Sequence, residues 1–313
     1  MGASGIAPSF AAAHGSRLIK KKHILALFSI FVFLGAIILG RNVSLTLGKN
    51  LLPKEFLSFS TTIIIIFSAS LSLFLANLLK IPQSTSQVTV GAITGAGLYF
   101  RHLYLKTLFL KIIPIWIILP LLAYIFTFIL YRQVYPPKHG NLHLYEKIFT
   151  HEKKLKLISI LVSCYVAFAI GSNNVANAVG PLYGAGMIDI LPGLILLSPF
   201  FGLGAGLMGK GPLETAGKEI VPLGLFSSAL VSFVTATLLI FASILGVPQS
   251  LVQLNLCSIF AVSSLKNGHK YTLDLHIARK TILIWVITPL ISLLVSFLCL
   301  WIKNRVLTPD FIG

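Results

Sequence analysis

Carboxylates are scarce in this sequence. Eight Asp and Glu stand against 25 Lys and Arg in 313 residues, and charged residues of both signs make up only 11% of the chain. A soluble domain carries about 25% charged residues, so the shortfall excludes a water-soluble globular fold. Cysteine is as sparse. Cys164, Cys257 and Cys299 lie singly in apolar segments without a CxxC pair, which excludes a disulfide framework and a structural thiolate metal site. They read as small buried hydrophobes. No nucleophile–base pair, no metal-ligand spacing and no Asp or His pair inside an apolar run is present, so nothing supports an enzyme or a cofactor. Gly202-x-Gly204-x-Gly206 follows no strand and is not a nucleotide loop. It fits small residues at a helix contact.

Apolar sequence is abundant, at 56% of residues and a mean hydropathy of +0.91. Several runs approach the roughly 20 residues of a spanning helix: Ile24–Gly40, Phe56–Leu79, Leu108–Tyr131, Leu157–Ile170, Gly186–Gly209, Leu223–Gly246 and Thr281–Ile302. Val88–Phe100 and Leu251–Leu265 have half-helix or re-entrant length. The runs are continuous rather than alternating, which favours helices over a barrel. The expected class is an all-α integral membrane protein, a polytopic helical bundle in the cell (inner) membrane. The net charge of +17 would suggest nucleic acid in a soluble chain. Here the bases sit mainly between spans, as membrane topology requires, so no nucleic-acid partner is expected.

Two halves of the chain match. Pro82-Gln83-Ser84-Thr85-Ser86-Gln87 and Pro248-Gln249-Ser250-Leu251-Val252-Gln253 both read P-Q-S-x-x-Q at an offset of 166. Gly48-Lys49 and Pro53 match Gly217-Lys218 and Pro222, and Trp116 and Pro120 match Trp285 and Pro289, at 169. The same offset lays Gly2–Ser9 over the polar stretch Gly171-Ser172-Asn173-Asn174-Val175-Ala176-Asn177-Ala178. Two repeats are expected, residues 1–131 and 157–313, joined by a basic polar linker at 132–156. The first repeat then reads as N-terminally truncated by about fifteen residues. Arg17 with Lys20-Lys21-Lys22 is a dense basic cluster, whereas its mate Gly186–Leu191 has one acid, Asp189, and no base. The positive-inside rule therefore places the cluster and the linker inside and the mate outside, so the repeats are inverted.

Four polar stretches, Gly2–Ser9, Pro82–Gln87, Gly171–Asn177 and Pro248–Gln253, interrupt the apolar pattern and are expected to break helices. Helix starts there would present free N–H groups and positive dipole ends, which suit an anion. The candidate ligands are Ser4 and Ser9, Ser84, Thr85, Ser86 and Gln87, Asn173, Asn174 and Asn177, and Ser250 and Gln253. Hydroxyls and amides supply neutral donors, which suits a tetrahedral oxyanion. A lone Ser in a membrane helix more often bonds its own backbone, and a lone Asn more often joins helices. The repetition argues for a shared site. Asp189, Glu214, Glu219 and Asp274 fall near the ends of apolar runs. Glu214, after Gly211-Pro212, and His14, after the first polar stretch, are the coupling-ion candidates.

Gly171–Ala178 resembles the G-x-N-D-V-A-N-[AS] signature of the inorganic phosphate transporter (PiT, Pho4) family, and Pro82–Gln87 is similar to that family's P-x-S-T-T-H. The sulfate permease branch is the nearest likeness, with a degenerate first motif similar to Gly2-Ala3-Ser4-Gly5 and an Asn-Asn second motif. The resemblance implies a secondary-active symporter for phosphate or a related oxyanion, with sulfate as the alternative, working by inverted repeats. It implies that Asn173, Asn177, Ser84 and Thr85 bind substrate. Asn174 and Gly5 stand where the family has aspartates that help bind sodium, and Gln87 and Gln253 where it has His. The loss of both carboxylates favours H+ over Na+ as the coupling ion. Expected partners are the inorganic anion and the lipid bilayer, with a homodimer as a further expectation. A non-transporting receptor or subunit on a decayed transporter fold is the alternative from another class.

Overall fold

The structure is a computed structural model, and it describes residues 1–15, 18–78, 83–209, 223–274 and 276–306. The described residues form helices joined by turns. In chain order these are α1 (Gly2–Gly15), α2 (Lys21–Leu39), α3 (Arg41–Lys49), a 3-10 turn (Lys54–Phe56), α4 (Phe59–Leu78) and α5 (Thr85–Phe100). Next come α6 (Leu105–Arg132), which contains a π turn at Leu108–Ile112, and the linker helix α7 (Leu142–Thr150). The remainder are α8 (Glu152–Asn174), α9 (Ala176–Gly184), α10 (Ile190–Met208), α11 (Leu225–Ile244), α12 (Leu251–Asn267), α13 (His269–Asp274) and α14 (His276–Val306).

Among the described residues, seven helices are long and apolar enough to span a membrane: α2, α4, α6, α8 running on into α9, α10, α11 and the C-terminal two thirds of α14. They coincide with the seven expected runs. The solvent pattern of a water-soluble protein is reversed. Leu110 and Leu207 are 70% and 85% exposed, whereas Asn173 and Ser86 are fully buried. An apolar shell around a polar interior is what a hydrocarbon solvent selects, because an amide left in lipid costs several kcal/mol as an order of magnitude.

Among the helices too short to span, two come from matched positions in the two halves. α5 and α12 have 16 and 17 residues, about 24–26 Å at 1.5 Å per residue. α5 is buried over its first thirteen residues, Thr85–Gly97. Each pairs with a long helix from the other half of the chain, α5 with α14 and α12 with α6. Glycine makes the first pairing close: a Cβ on Gly91 or Gly95 would overlap the carbonyl oxygen of Pro289 or Leu293. The same device recurs nearer the polar stretches. A Cβ on Gly171 would overlap the Val32 carbonyl of α2, and one on Gly2 would overlap the Phe201 carbonyl of α10. These two contacts interchange when 169 is added to the residues of one half.

The turn from α11 into α12 is built from its sequence. Gly246 adopts φ 67°, its N–H bonds to Ser243 O at 3.0 Å, and Val247 N–H bonds to Ala242 O at 2.8 Å. That is the Schellman arrangement, which needs a left-handed residue at this point. Pro248 then prevents the helix from resuming.

Of the four expected helix breaks, the one at Gly2–Ser9 is absent and the one in Gly171–Asn177 is reduced to a single turn residue, Val175, between α8 and α9. Gly2–Ser9 lies inside α1, with Pro8 accommodated in it, and Gly171–Asn174 is the last turn of α8, interrupted only at Val175. The reason is tertiary. Asn favours helix ends when its side chain bonds its own backbone, but here Asn173 bonds residues more than seventy positions away. The breaks at Ser84 and Ser250 are real, and both serines cap helices. Pro82, Arg17, Gly217, Lys218, Pro222, Glu219 and the coupling-ion candidate Glu214 lie outside the described residues.

Candidate functional site

Ser84 is the N-cap of α5 and Ser250 the N-cap of α12. Each hydroxyl oxygen accepts the backbone N–H of the Gln three residues on, Gln87 or Gln253, at 3.2 Å. This is standard N-cap geometry, and it appears twice in matched positions. The N–H groups of the first helical turn have no intrahelical acceptor, and each N-terminus carries about half a positive charge. The caps leave the serine hydrogens available as donors.

Asn173 brings the two helix starts together. Its Oδ1 accepts the Ser86 hydroxyl at 3.3 Å and the Gln249 backbone N–H at 2.9 Å. Its Nδ2 donates to Ser243 Oγ and Val247 O, both at 3.0 Å. One side chain at the end of α8 therefore touches the first turn of α5, the end of α11 and the residues just before α12. Asn177, in α9, donates to Ser86 Oγ at 3.1 Å and Thr85 Oγ1 at 3.3 Å. The turn carrying Pro248 is held from outside as well, because Trp116 of α6 donates its indole N–H to Pro248 O at 2.7 Å.

Around this knot lies a set of buried amides with open valences. The side-chain oxygens of Gln83, Gln87, Asn174, Asn177, Gln249 and Gln253 are buried without a hydrogen-bond partner among the described residues, as is Gln249 Nε2. Native interiors rarely leave such groups unpaired, and here they gather around the two helix starts and Asn173. An amide turned by half a rotation exchanges its oxygen for two N–H donors. Gln83, Gln87, Asn174, Gln249 and Gln253 can therefore present donors to an anion or oxygens to a cation. Asn177 is fixed through its Nδ2. The cluster itself contains no charged side chain.

The structure gathers Ser84, Thr85, Ser86, Gln87, Asn173, Asn174, Asn177, Ser250 and Gln253 as buried residues at or beside these helix starts. It does not tie Ser4 and Ser9 to them. Ser4 Oγ donates to Met1 O at 2.7 Å and Ser9 Oγ to Gly5 O at 2.8 Å, within their own helix. That is the usual behaviour of serine in a membrane helix. His14 is half-buried in the last turn of α1, about 15 Å along the helix from Ser4. Gln83, Gln249 and Ser243 belong to the cluster although the sequence reading passed them over. The repeated P-Q-S was the available signal for the two glutamines. Ser243 carried none, since one serine in an apolar run is unremarkable.

The sequence profile described as "Phosphate transporter family" matches residues 1–296. The chain belongs to that family. It is accordingly a multi-pass membrane transporter and not an enzyme. Among relatives it is 38% identical over 307 residues to the sulfate permease CysP of Bacillus subtilis (strain 168), covering 95% of this chain and 82% of that one. It is 28% identical over 302 residues to the putative phosphate permease MJ0630 of Methanocaldococcus jannaschii, covering 95% and 91%. A solved structure titled "The sodium-dependent phosphate transporter" superposes with a TM-score of 0.84 over 97% of this chain and 95% of that chain, at 22% identity. This last likeness shows that the family's fold is present.

Proposed function

We propose that this chain is a secondary-active permease of the cell membrane for a tetrahedral oxyanion, with sulfate as the substrate. The observation that carries the proposal is the convergence of two capped helix N-termini on Asn173, ringed by buried amides that lack partners. Two positive helix ends and rotatable neutral donors suit a dianion without locking it in place, as a carrier requires. Sulfate is favoured over phosphate on chemical grounds. At neutral pH phosphate keeps a proton that calls for a strong acceptor, and the described residues of this cluster include no carboxylate. The 38% identity to a sulfate permease points the same way. The family profile favours phosphate as the second reading.

The binding residues in this proposal are Ser84, Thr85, Ser86, Gln87, Asn174, Asn177, Ser250 and Gln253, with Asn173 holding the frame. Transport would proceed by alternating access of two inverted repeats, 1–131 and 157–313, around the cluster. The reciprocal contacts Gly2–Phe201 and Gly171–Val32 support a two-fold relation between the halves. Uptake would be ion-coupled, with H+ favoured over Na+ because Asn174 and Gly5 replace the aspartates implied for sodium. The test is reconstitution of the full chain in liposomes, with labelled sulfate and phosphate supplied under proton and sodium gradients in turn. Sulfate uptake driven by the proton gradient is expected. Absence of gradient-driven uptake of either anion would refute the proposal.

A further inference from the structure

A second concave feature lies away from the cluster, where the linker meets the bundle. A groove of about 400 Å³ runs between α7, the first three turns of α8 and the N-terminal half of α11. Its volume is that of a small-ligand site. The floor is hydrocarbon: Leu155, Val162, Ala229 and Leu230 are among its lining residues. Ile158 and Phe233, also lining it, are 49% and 50% exposed, so the groove opens towards the side on which the spanning helices show their apolar surface. Its remaining lining includes Lys147, His151 and Lys154, all exposed.

The charge of this rim is uncompensated among the described residues. Among the described residues the salt bridge found is Glu152 to Lys156, which neutralises the nearest acid on α8 and leaves Lys147 and Lys154 without a carboxylate partner. The linker as a whole carries Arg132 and five lysines against Glu146 and Glu152. α7 itself is an interfacial helix in character. Leu142, Leu144 and Phe149 are more than 40% exposed, the Tyr145 ring packs tilted against Phe149 at 4.5 Å between centroids, and His143, Glu146 and Lys147 supply its polar side. Such a helix lies in the headgroup plane with its apolar face towards the acyl chains.

We infer that this groove is a site for one anionic phospholipid, with an acyl chain laid along Leu155, Val162 and Ala229 and the headgroup phosphate held by Lys147 and Lys154. A soluble anion would satisfy the lysines but leave the hydrocarbon floor unused. A zwitterionic lipid would fill the floor but bring its own cation to the rim. An anionic phospholipid alone matches both halves of the groove. The basic linker belongs to the side that the positive-inside rule assigns to the cytoplasm, where the leaflet is anionic and each lysine near the surface gains from that charge.

The test is native mass spectrometry of the full-length protein released from vesicles of equal phosphatidylglycerol and phosphatidylcholine. One retained phosphatidylglycerol is expected, preferred about tenfold over phosphatidylcholine. The double substitution Lys147→Gln with Lys154→Gln should bring that preference close to parity. Ala229→Trp, which fills the floor, should remove the bound lipid of either kind. The lysine variant decides alone if Ala229→Trp fails to fold, because both lysines are exposed. Equal retention of the two lipids by the wild type, a preference unchanged in the lysine variant, or displacement of the lipid by millimolar inorganic phosphate would each overturn the inference. A dimer that Ala229→Trp disperses would overturn it too, by showing that the groove seats a second copy.

Discussion

Asn173 has every hydrogen-bonding position of its amide filled, while the carbonyl oxygen of the adjacent Asn174 has no partner among the described residues. The two should therefore respond differently to the same replacement. Asn173→Leu strands Val247 O and Gln249 N–H in a buried site, at about 1–3 kcal/mol per stranded group. It is expected to lower the melting temperature in detergent and to lose uptake with it. Asn174→Leu removes a buried amide whose oxygen has no hydrogen-bond partner among the described residues. Stability should hold within about 1 kcal/mol or improve, while oxyanion uptake falls at least tenfold. Full uptake by a stable Asn174→Leu protein would remove Asn174 from the site. Asn174→Asp tests the coupling ion at the same position. Uptake by that variant should become responsive to a sodium gradient, and unchanged indifference to sodium would count against a lost carboxylate as the cause.

The helix starts separate capping from ligand binding. Ser250→Ala should cost about 1 kcal/mol through the lost cap. Ser250→Asp keeps a competent cap but sets a negative charge where the anion would sit. A normally stable Ser250→Asp protein that fails to accumulate sulfate is the expected result, and wild-type uptake by it would place the anion elsewhere. These elements also show how far sequence reasoning reached. Apolar runs report helices directly, since any 20-residue hydrocarbon stretch must satisfy its own backbone in lipid, and the seven spans follow. The breaks at Ser84 and Ser250 were legible because Pro82 and Pro248, two residues ahead of each serine, cannot continue a helix. Gly171–Asn174 was not, because what keeps it helical is a set of partners more than seventy residues away. Ser4 and Ser9 were assigned to the site by the repeat alone, and local geometry sends their hydroxyls to their own helix.

At the scale of the molecule, the proposed inverted repeat predicts sidedness. In a cysteine-free background, Lys20→Cys and His143→Cys should be labelled by an impermeant thiol reagent only in inside-out vesicles, and Asp189→Cys only in right-side-out ones. All three positions are exposed. Labelling of Lys20→Cys and Asp189→Cys from one side would contradict the inverted arrangement. The proposed repeat rests on matched residues that recur in order. Reciprocal packing was not legible, because the glycines that permit it meet backbone carbonyls, and carbonyls leave no mark in a sequence. Those glycine contacts bear on how the molecule can deform. Where Gly171 meets Val32, and Gly91 and Gly95 meet α14, backbone rests on backbone, and neither helix can slide without a collision between main chains. The contacts from Asn173 and Asn177 to Thr85, Ser86 and the Gln249 backbone N–H span 2.9–3.3 Å and are made by amide side chains that can exchange partners. The molecule thus has stiff seams and one compliant seam. A large displacement would follow the compliant one, so the surface that holds the anion would also be the plane of shear.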